Sequence, residues 1–269
     1  MPLLSVEELS VVYRGHGASV CAVDGVHFTI ESGEVVALVG ESGSGKSSVA
    51  LALTRLLSAS AATVSGRVVF KNANLLTTSE DILRTVRGGK IAYVFQEPAS
   101  SLNPVLTIGE QLLEAIQLHT HARGVEAKPL AVEWLQRFGM PSPHERMGAY
   151  RHQFSGGMQQ RVMLAMAMAS APDLLVADEP TTALDVTVQV QILRLLRDLQ
   201  RTLGLSILLI SHDLTVVERI AHRVGVMSQG RLVELGAVGQ VLHQPAHPYT
   251  KQLLQYRSTL SLRRGAGNG

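Results

Sequence analysis

The sequence has a single cysteine, Cys21, in 269 residues. One thiol closes no internal disulfide and holds no cysteine-ligated iron–sulfur cluster, which points to a reducing, cytosolic compartment. No stretch approaches the roughly 18 continuous apolar residues of a membrane-spanning helix. Residues 1–8 carry neither a basic n-region nor a long apolar run, so no secretory signal is expected. Charge of one sign is also scarce. The formal net charge of +2 is too small to argue for a nucleic-acid partner. Arg263-Arg264 lies in a polar, glycine-containing tail and reads as part of a solvated end rather than a binding arm. There is no internal repeat, no low-complexity segment and no sustained heptad pattern of the kind a long coiled coil needs. What remains is a chain 46% hydrophobic, ample for a core, with the length of one large or two small domains.

Against that background one stretch stands out. Gly40-Glu41-Ser42-Gly43-Ser44-Gly45-Lys46-Ser47 fits the phosphate-binding pattern G-x-x-x-x-G-K-[ST] at every fixed position. Its context fits as well. Residues 35–39 read as a short buried strand, and residues 48–57, beginning at Ser48, read as a helix with Ala50, Leu51, Leu53 and Leu57 available for packing. The glycines let backbone N–H groups approach a phosphate, and the helix N-terminus adds partial positive charge. Lys46 is expected to reach the β- and γ-phosphates of ATP, and the Ser47 hydroxyl to bind Mg²⁺. The bland alternative is a plain Gly/Ser turn, which the complete pattern in a strand–turn–helix context disfavours.

The rest of the chain alternates between β and α character. Residues 9–13 read as a strand leading into a Gly/His loop at 14–19; 20–30 hold a second strand, and 66–70 and 91–95 two more. Tyr13 has a ring able to stack on adenine, though a strand tyrosine is more often simply half-buried. Thr107 and Glu110 form a capping box for a helix with Ile108, Leu112, Ala115 and Ile116 on one face. A further helix is expected around 130–138, stopped by Gly139. Beyond Pro172 come a buried strand at 174–177, a helix at 188–201 with Ile192, Leu195, Leu196 and Leu199 as its stripe and Gly204 as its stop, a strand at 206–210, and a hairpin of 224–227 with 231–234. This predicts an α/β fold: a P-loop core with a largely parallel sheet, a β-rich N-terminal part, and a helical insertion at about 97–169. The histidines form no metal site. His243 and His247 are spaced i, i+4, but Pro245 and Pro248 oppose a regular helix there, and His119 and His121 would face different sides of one.

Several polar residues gain meaning from the phosphate loop. Asp178 and Glu179 end an apolar strand, where ligands of open α/β sheets bind. Asp178 suits Mg²⁺ binding, directly or through water, and Glu179 suits orienting and polarising an attacking water, since phosphoryl transfer needs mainly positioning and charge neutralisation. Taken alone, the pair would be two solvated acids at a strand end. Phe154-Ser155-Gly156-Gly157-Met158 is a second Gly-rich turn opening a helix; it reads either as an ordinary cap by Ser155 or as a second anion site. Gln96 and His212 each follow a strand and are candidates to reach a γ-phosphate, though either alone would more often be a surface polar residue.

Together these elements resemble the nucleotide-binding subunit of an ABC transporter. The order is the phosphate loop at 40–47, Gln96, the signature at 154–158, residues 174–179, Ala183-Leu184-Asp185 and His212, which covers nearly the whole chain. Phe95-Gln96-Glu97-Pro98, Ser101-Leu102-Asn103-Pro104 and His247-Pro248-Tyr249-Thr250 look like the oligopeptide, dipeptide and nickel importer branch. Two departures stand out. Phe154 and Met158 replace the first and last residues of the usual Leu-Ser-Gly-Gly-Gln signature, leaving the serine and glycines in place. There is also no C-terminal cysteine cluster of the kind some peptide-importer members carry, which leans toward the nickel- or metallophore-type members.

The resemblance implies an RecA-like core (about 1–96 and 170–256) with an antiparallel β subdomain, a helical subdomain (about 97–169) and a flexible tail (about 257–269), all within one nucleotide-binding domain spanning 1–269. It implies two chains closing head to tail on two ATP molecules. Each ATP would lie between one phosphate loop (Gly40, Ser42, Gly43, Ser44, Gly45, Lys46, Ser47, Ser48, with Tyr13 at the base) and the partner's residues equivalent to Ser155, Gly156 and Gly157. By the same resemblance Ser47, Gln96 and Asp178 hold Mg²⁺; Glu179, His212 and Gln96 act in hydrolysis; and Asp185 links the sites. The implied partners are two transmembrane permease subunits, a second ABC ATPase chain (a heterodimer being favoured) and, indirectly, an extracytoplasmic solute-binding protein, with no nucleic acid. The implied place is the cytoplasmic face of the membrane, as a peripheral protein. Two other readings stay open: a soluble ABC-type ATPase of translation or DNA repair, and a nucleotide-binding subunit with little catalysis.

Overall fold

The structure, a computed structural model, describes residues 1–15, 18–97, 101–181 and 184–255. The expected Gly/His loop, Pro98, Ala183 and the tail at 257–269 therefore fall wholly or partly outside the described residues. In chain order the strands are β1 (Leu4–Arg14), β2 (Ser19–Ile30), β3 (Val35–Val39), β4 (Ala62–Phe70), β5 (Ala73–Asn74), β6 (Ile91–Val94), β7 (Leu174–Asp178), β8 (Ser206–Ile210), β9 (Arg223–Ser228) and β10 (Arg231–Ala237). The helices include α1 (Lys46–Leu53), α2 (Glu80–Val86), α3 (Ile108–His119), α4 (Ala127–Arg137), α5 (Pro143–Arg146), α6 (Gly156–Met168), α7 (Val186–Leu203), α8 (Leu214–Ile220) and α9 (Val238–His243), with a further helical stretch at 248–255. They form two compact units. One comprises Pro2–Ile30, Val35–Leu76 and the described part of Ile210–Gly269; the other is built chiefly from Glu31–Glu34 and Thr77–Leu209.

The first unit contains an antiparallel sheet in the order β2-β1-β4-β5. In β1, Leu4 and Val6 are buried at even positions, and Leu9 and Val11 at odd ones. A strand shows alternate residues to opposite faces, so this change of parity would turn half the apolar set outward. The register of β1 against both β2 and β4 shifts between these pairs, and Glu8 adopts a left-handed φ of 49°. This bulge keeps all four side chains on the core face. The same unit holds strands in the order β10-β9-β3, with β3 parallel to β9 and β10 antiparallel to it. Every residue of β3 is buried, as expected of a strand covered on both faces. The helix expected over 48–57 starts at Lys46 and stops at Leu53; Arg55 just beyond it takes a left-handed φ of 52°, incompatible with another helical turn. Strand β4 begins earlier than the apolar run suggests, paired to β1 from Ala62↔Tyr13.

The second unit has strands in the order β8-β7-β6, with β6 parallel to β7, and the helices α3 to α6 within the stretch expected to be helical. Ile108, Leu112 and Ile116 of α3 are fully buried. The capping box at its start is complete: Glu110 N–H donates to Thr107 Oγ1 at 3.1 Å, and the Glu110 carboxylate accepts Thr107 N–H at 2.7 Å and the Thr107 hydroxyl at 2.8 Å. Those bonds from the Thr107 backbone and side chain hold the Glu110 carboxyl below its ordinary range. Gln111, one residue on, is buried and ties the preceding turn to the helix. Its amide donates to the carbonyls of Asn103, Leu106 and Thr107, and its oxygen accepts Asn103 N–H at 2.8 Å. Helix α3 ends at His119, so His121 lies outside it. Helix α7 ends at Gly204, which takes the left-handed cap at φ 66°. Its buried stripe is Ile192, Leu193, Leu196 and Leu199; Leu195, expected in the stripe, is only half-buried. The seven-residue α2 has no counterpart in the sequence reading, being too short to show a period.

The capping box generates a direct test. Thr107→Ala removes the acceptor for Glu110 N–H and is expected to lower stability by about 1 kcal/mol. Chemical denaturation followed by circular dichroism would show a lower midpoint; an unchanged midpoint would mean the cap adds nothing to α3.

Candidate functional site

The phosphate loop is shaped by backbone packed tightly on two sides. Gly40 follows β3 with φ 149°, and a Cβ on it would come within 2.2 Å of the Met227 carbonyl oxygen of β9. Gly45 precedes α1 with φ 101°, and a Cβ there would lie 2.2 Å from the Ala22 carbonyl oxygen of β2. Both positions exclude any side chain by contact as well as by conformation. The turn between β9 and β10 closes the packing: Gly230 N–H donates to Ser44 O at 3.1 Å, and Asp24 N–H to Gly230 O at 2.9 Å.

Lys46 turns its side chain into this loop and is buried. Its Nζ donates to Gly40 O at 2.9 Å, Glu41 O at 2.7 Å and Ser44 Oγ at 3.2 Å. Ser42, Gly43 and Ser47 are exposed on the loop, and Ser48 is half-buried at the first turn of α1. Tyr13 belongs to the same unit. Its hydroxyl lies 3.0 Å from Ser48 Oγ, so its ring is tethered to the base of α1. His212 follows Ser211, whose N–H donates to Leu38 O at 3.2 Å, so the histidine leaves the sheet next to the strand that feeds the loop, with its side chain exposed.

The acidic residues lie in the other unit. β6 and β7 run parallel with Val94 opposite Ala177. Carrying that register two residues past the pairing sets Gln96 against Glu179, and their side chains meet: Gln96 Nε2 donates to Glu179 Oε2 at 3.0 Å. Glu179 takes a left-handed φ of 49°, uncommon for a residue with a Cβ. Asp178, one residue earlier, is buried at the end of β7, whereas Glu179 is half-buried and Gln96 exposed.

Ser155 caps α6, its Oγ accepting Met158 N–H at 3.4 Å, so the ordinary capping role is present. Gly156 faces open space, leaving the backbone at this helix N-terminus accessible. A Cβ on Gly157 would lie 3.1 Å from Val188 Cγ1, which sets the turn against the start of α7. There Asp185 is the N-cap, its carboxylate accepting Val188 N–H at 2.9 Å. Ser155, Gly156, Gly157 and Asp185 thus gather at two adjacent helix N-termini.

The second unit also contains an apolar cavity of about 220 Å³ lined by Tyr93, Phe95, Leu102, Ala115, His119 and Met163, among others. Phe95, the residue before Gln96, is 41% exposed. Burial pushes the His119 imidazole, which lines this cavity, below its ordinary pKa.

Taken unit by unit, the residues present suit a nucleoside triphosphate at the loop and, in the other unit, a divalent cation at the carboxylates. The loop is a cradle that a Cβ would fill, it encloses an amine, and hydroxyl and carboxylate oxygens are the donor set that Mg²⁺ prefers. One contact to the loop was not legible in the sequence. Tyr249, read only as part of a family motif, places its hydroxyl 3.4 Å from Glu41 N–H. Spacing gives no warning of it, because the two residues lie far apart in the chain.

A family model described as ABC transporter matches residues 23–182. Among curated relatives, the peptidoglycan transport ATP-binding protein YejF of Agrobacterium fabrum is 52% identical over 254 residues, covering 94% of this chain and 46% of its own length. The dipeptide transport ATP-binding protein DppD of Bacillus subtilis is 47% identical over 253 residues, covering 94% of this chain and 76% of its own. The chain thus spans about half of the first relative and about three quarters of the second. Among solved structures, a dimeric ATP-binding cassette in a post-hydrolysis state with ADP and Pi matches with TM-score 0.78 at 29% identity, over 87% of this chain and 98% of that one. The cassette cbiO1 of Clostridium perfringens, part of the cbiONQ transporter complex, matches with TM-score 0.75 at 27% identity, over 98% of this chain and 96% of that one.

Because Gly45 has a backbone carbonyl against its α-carbon, Gly45→Ala must move the loop or the strand beside it. The cost is expected at about 1–3 kcal/mol. A lowered melting temperature together with weakened ATP binding is the expected result; wild-type values for both would contradict the packing described.

Proposed function

Since the chain belongs to the ABC transporter family, we propose that it is the ATP-hydrolysing motor subunit of a binding-protein-dependent importer whose cargo is peptides. The observation that carries this reading is the phosphate loop, with its glycines closed in by backbone carbonyls and Lys46 held at its centre. ATPase activity follows from the family. The peptide class is supported by relatives such as the dipeptide transport protein DppD, which favours it over nickel or metal-chelate cargo.

In this reading Lys46 exchanges the loop carbonyls for β- and γ-phosphate oxygens. Backbone N–H groups of Ser42, Gly43, Ser44 and Gly45 and the N-terminus of α1 add donors, and Tyr13 stacks on the adenine. Ser47, Gln96 and Asp178 would hold Mg²⁺, which would supply positive charge against the phosphates. Glu179 accepts a hydrogen bond from water and sets it for in-line attack, with Gln96 fixing the carboxylate through the bond already present. His212 donates to the γ-phosphate. Ser155, Gly156 and Gly157 serve the nucleotide of a second cassette chain, and Asp185 joins the two sites. ATP then holds two chains together through opposing helix N-termini, and hydrolysis removes that bridge.

We further assign one nucleotide-binding domain to 1–269, with a core at about 1–96 and 170–256 and a helical subdomain at about 97–169. The apolar cavity behind the exposed Phe95 is the surface on which a cytoplasmic helix of a permease subunit docks. Two permeases and a second, different cassette chain complete the motor, at the cytoplasmic face of the membrane, fed by an extracytoplasmic solute-binding protein.

Glu179→Gln keeps the hydrogen-bonding shape and removes the base. It is expected to slow turnover by at least about 100-fold while ATP affinity is retained. Tagged Glu179→Gln protein, purified from gently solubilised membranes with ATP, is expected to bring down two multi-span permeases. Near wild-type turnover would remove Glu179 from its role, and recovery of no membrane partner would favour a soluble ATPase instead.

A further inference from the structure

The motif His247-Pro248-Tyr249-Thr250 finds no task in hydrolysis, yet each of its residues is used locally. Residues 248–255 form a helix. His247 stands at its N-cap: its carbonyl accepts Lys251 N–H at 3.2 Å, and its ring Nδ1 accepts Tyr249 N–H at 3.2 Å. Pro248 occupies the first helical position, where a missing N–H costs nothing. Thr250 is buried. The Glu234 carboxylate of β10 receives the chain end, accepting Ala246 N–H at 2.8 Å and His247 N–H at 3.0 Å. Burial works against its charge, but the nearby Thr250 side chain and the N–H bonds from Ala246 and His247 prevail and keep Glu234 below its ordinary pKa. A carboxylate thus sits at the N-terminus of this helix, which its dipole favours. The result is a strap pinned to β10.

What the strap delivers is Tyr249. Its hydroxyl accepts Glu41 N–H at 3.4 Å, the long end of hydrogen-bond range. That N–H belongs to the same peptide unit as Gly40 C=O, which accepts from Lys46 at 2.9 Å. This peptide is trans, so the two groups lie in its plane and point in opposite directions. The Gly40–Glu41 peptide is therefore held at both ends, by Lys46 on one side and Tyr249 on the other.

We propose that Tyr249 is a positioning residue for the phosphate loop: it fixes the Gly40–Glu41 peptide when Lys46 leaves Gly40 O for the phosphates of ATP, and Glu234 holds the strap that presents it. The proposal rests on the phosphate-loop reading above. While Lys46 grips the carbonyl, the peptide has two anchors and the tyrosine bond is partly redundant. Once Lys46 bonds to phosphate, Tyr249 is the anchor that remains. Its bond therefore counts for more in the nucleotide complex than without nucleotide, and the difference enters the binding constant.

The test uses the 269-residue chain, titrated with ATP and with ADP by calorimetry. Tyr249→Phe keeps the ring and removes the acceptor. It is expected to raise Kd for both nucleotides by about threefold to tenfold, the size of one net hydrogen bond. The melting temperature without nucleotide should stay unchanged, whereas a tyrosine that merely packs the helix would lower it and leave Kd alone. Glu234→Ala, which frees the strap, is expected to weaken binding in the same direction, and the double variant to bind no more weakly than the weaker single one. Wild-type affinity in Tyr249→Phe, or fully additive losses in the double variant, would overturn the proposal. Absence of binding by the wild-type chain would instead remove the phosphate-loop reading on which it stands.

Discussion

The close approach of two carbonyl oxygens, Ala22 O and Met227 O, to the ends of the phosphate loop is the constraint on which the nucleotide-binding unit depends. It ties the loop to strands from two different places, β2 and β9, and leaves glycine as the only residue that fits at Gly40 and Gly45. With the backbone fixed in this way, the ammonium of Lys46 has a defined place inside the loop. Preorganisation of this kind reduces the ordering cost of binding phosphate. Tyr13 and Tyr249 add side-chain tethers to the same framework, one through Ser48 and the other through Glu41.

The acidic residues depend on a different device, parallel strand register. Val94 opposite Ala177 is enough to bring Gln96 to Glu179, and the left-handed backbone at Glu179 sets it apart from its neighbour. Two adjacent acids thereby acquire unlike surroundings: Asp178 is buried at the strand end, as suits a charge that meets a cation, and Glu179 is open enough to reach water. Two carboxylates one residue apart can divide ion binding and water activation in this way without any difference in residue type.

Much of this was legible in the sequence because the informative signals are local. The strand–turn–helix around residues 40–47, the capping box at Thr107 and Glu110, the Ser155 cap and the glycine stop at Gly204 each declare themselves within a few residues, and each of these local conformations is present. The family order of the motifs supplied the rest of the site residues. Features set by distant contacts were not legible. The bulge at Glu8 depends on pairing with β2 and β4 together; Leu195 follows the apolar period but lies on the edge of the buried stripe; and α1 stops at Leu53 although apolar residues continue. Tyr249 belongs to the same class: its meaning comes from Glu234 and Glu41, neither of which lies near it in the chain.

The central claim is that Lys46 and its loop form the binding site for ATP. Calorimetric titration of MgATP into the 269-residue chain and into its Lys46→Ala variant, in the same buffer, tests it directly. Loss of a charge-assisted contact to phosphate is expected to raise Kd by at least about tenfold, with the fold retained by circular dichroism. Equal affinities in the two proteins would contradict the assignment.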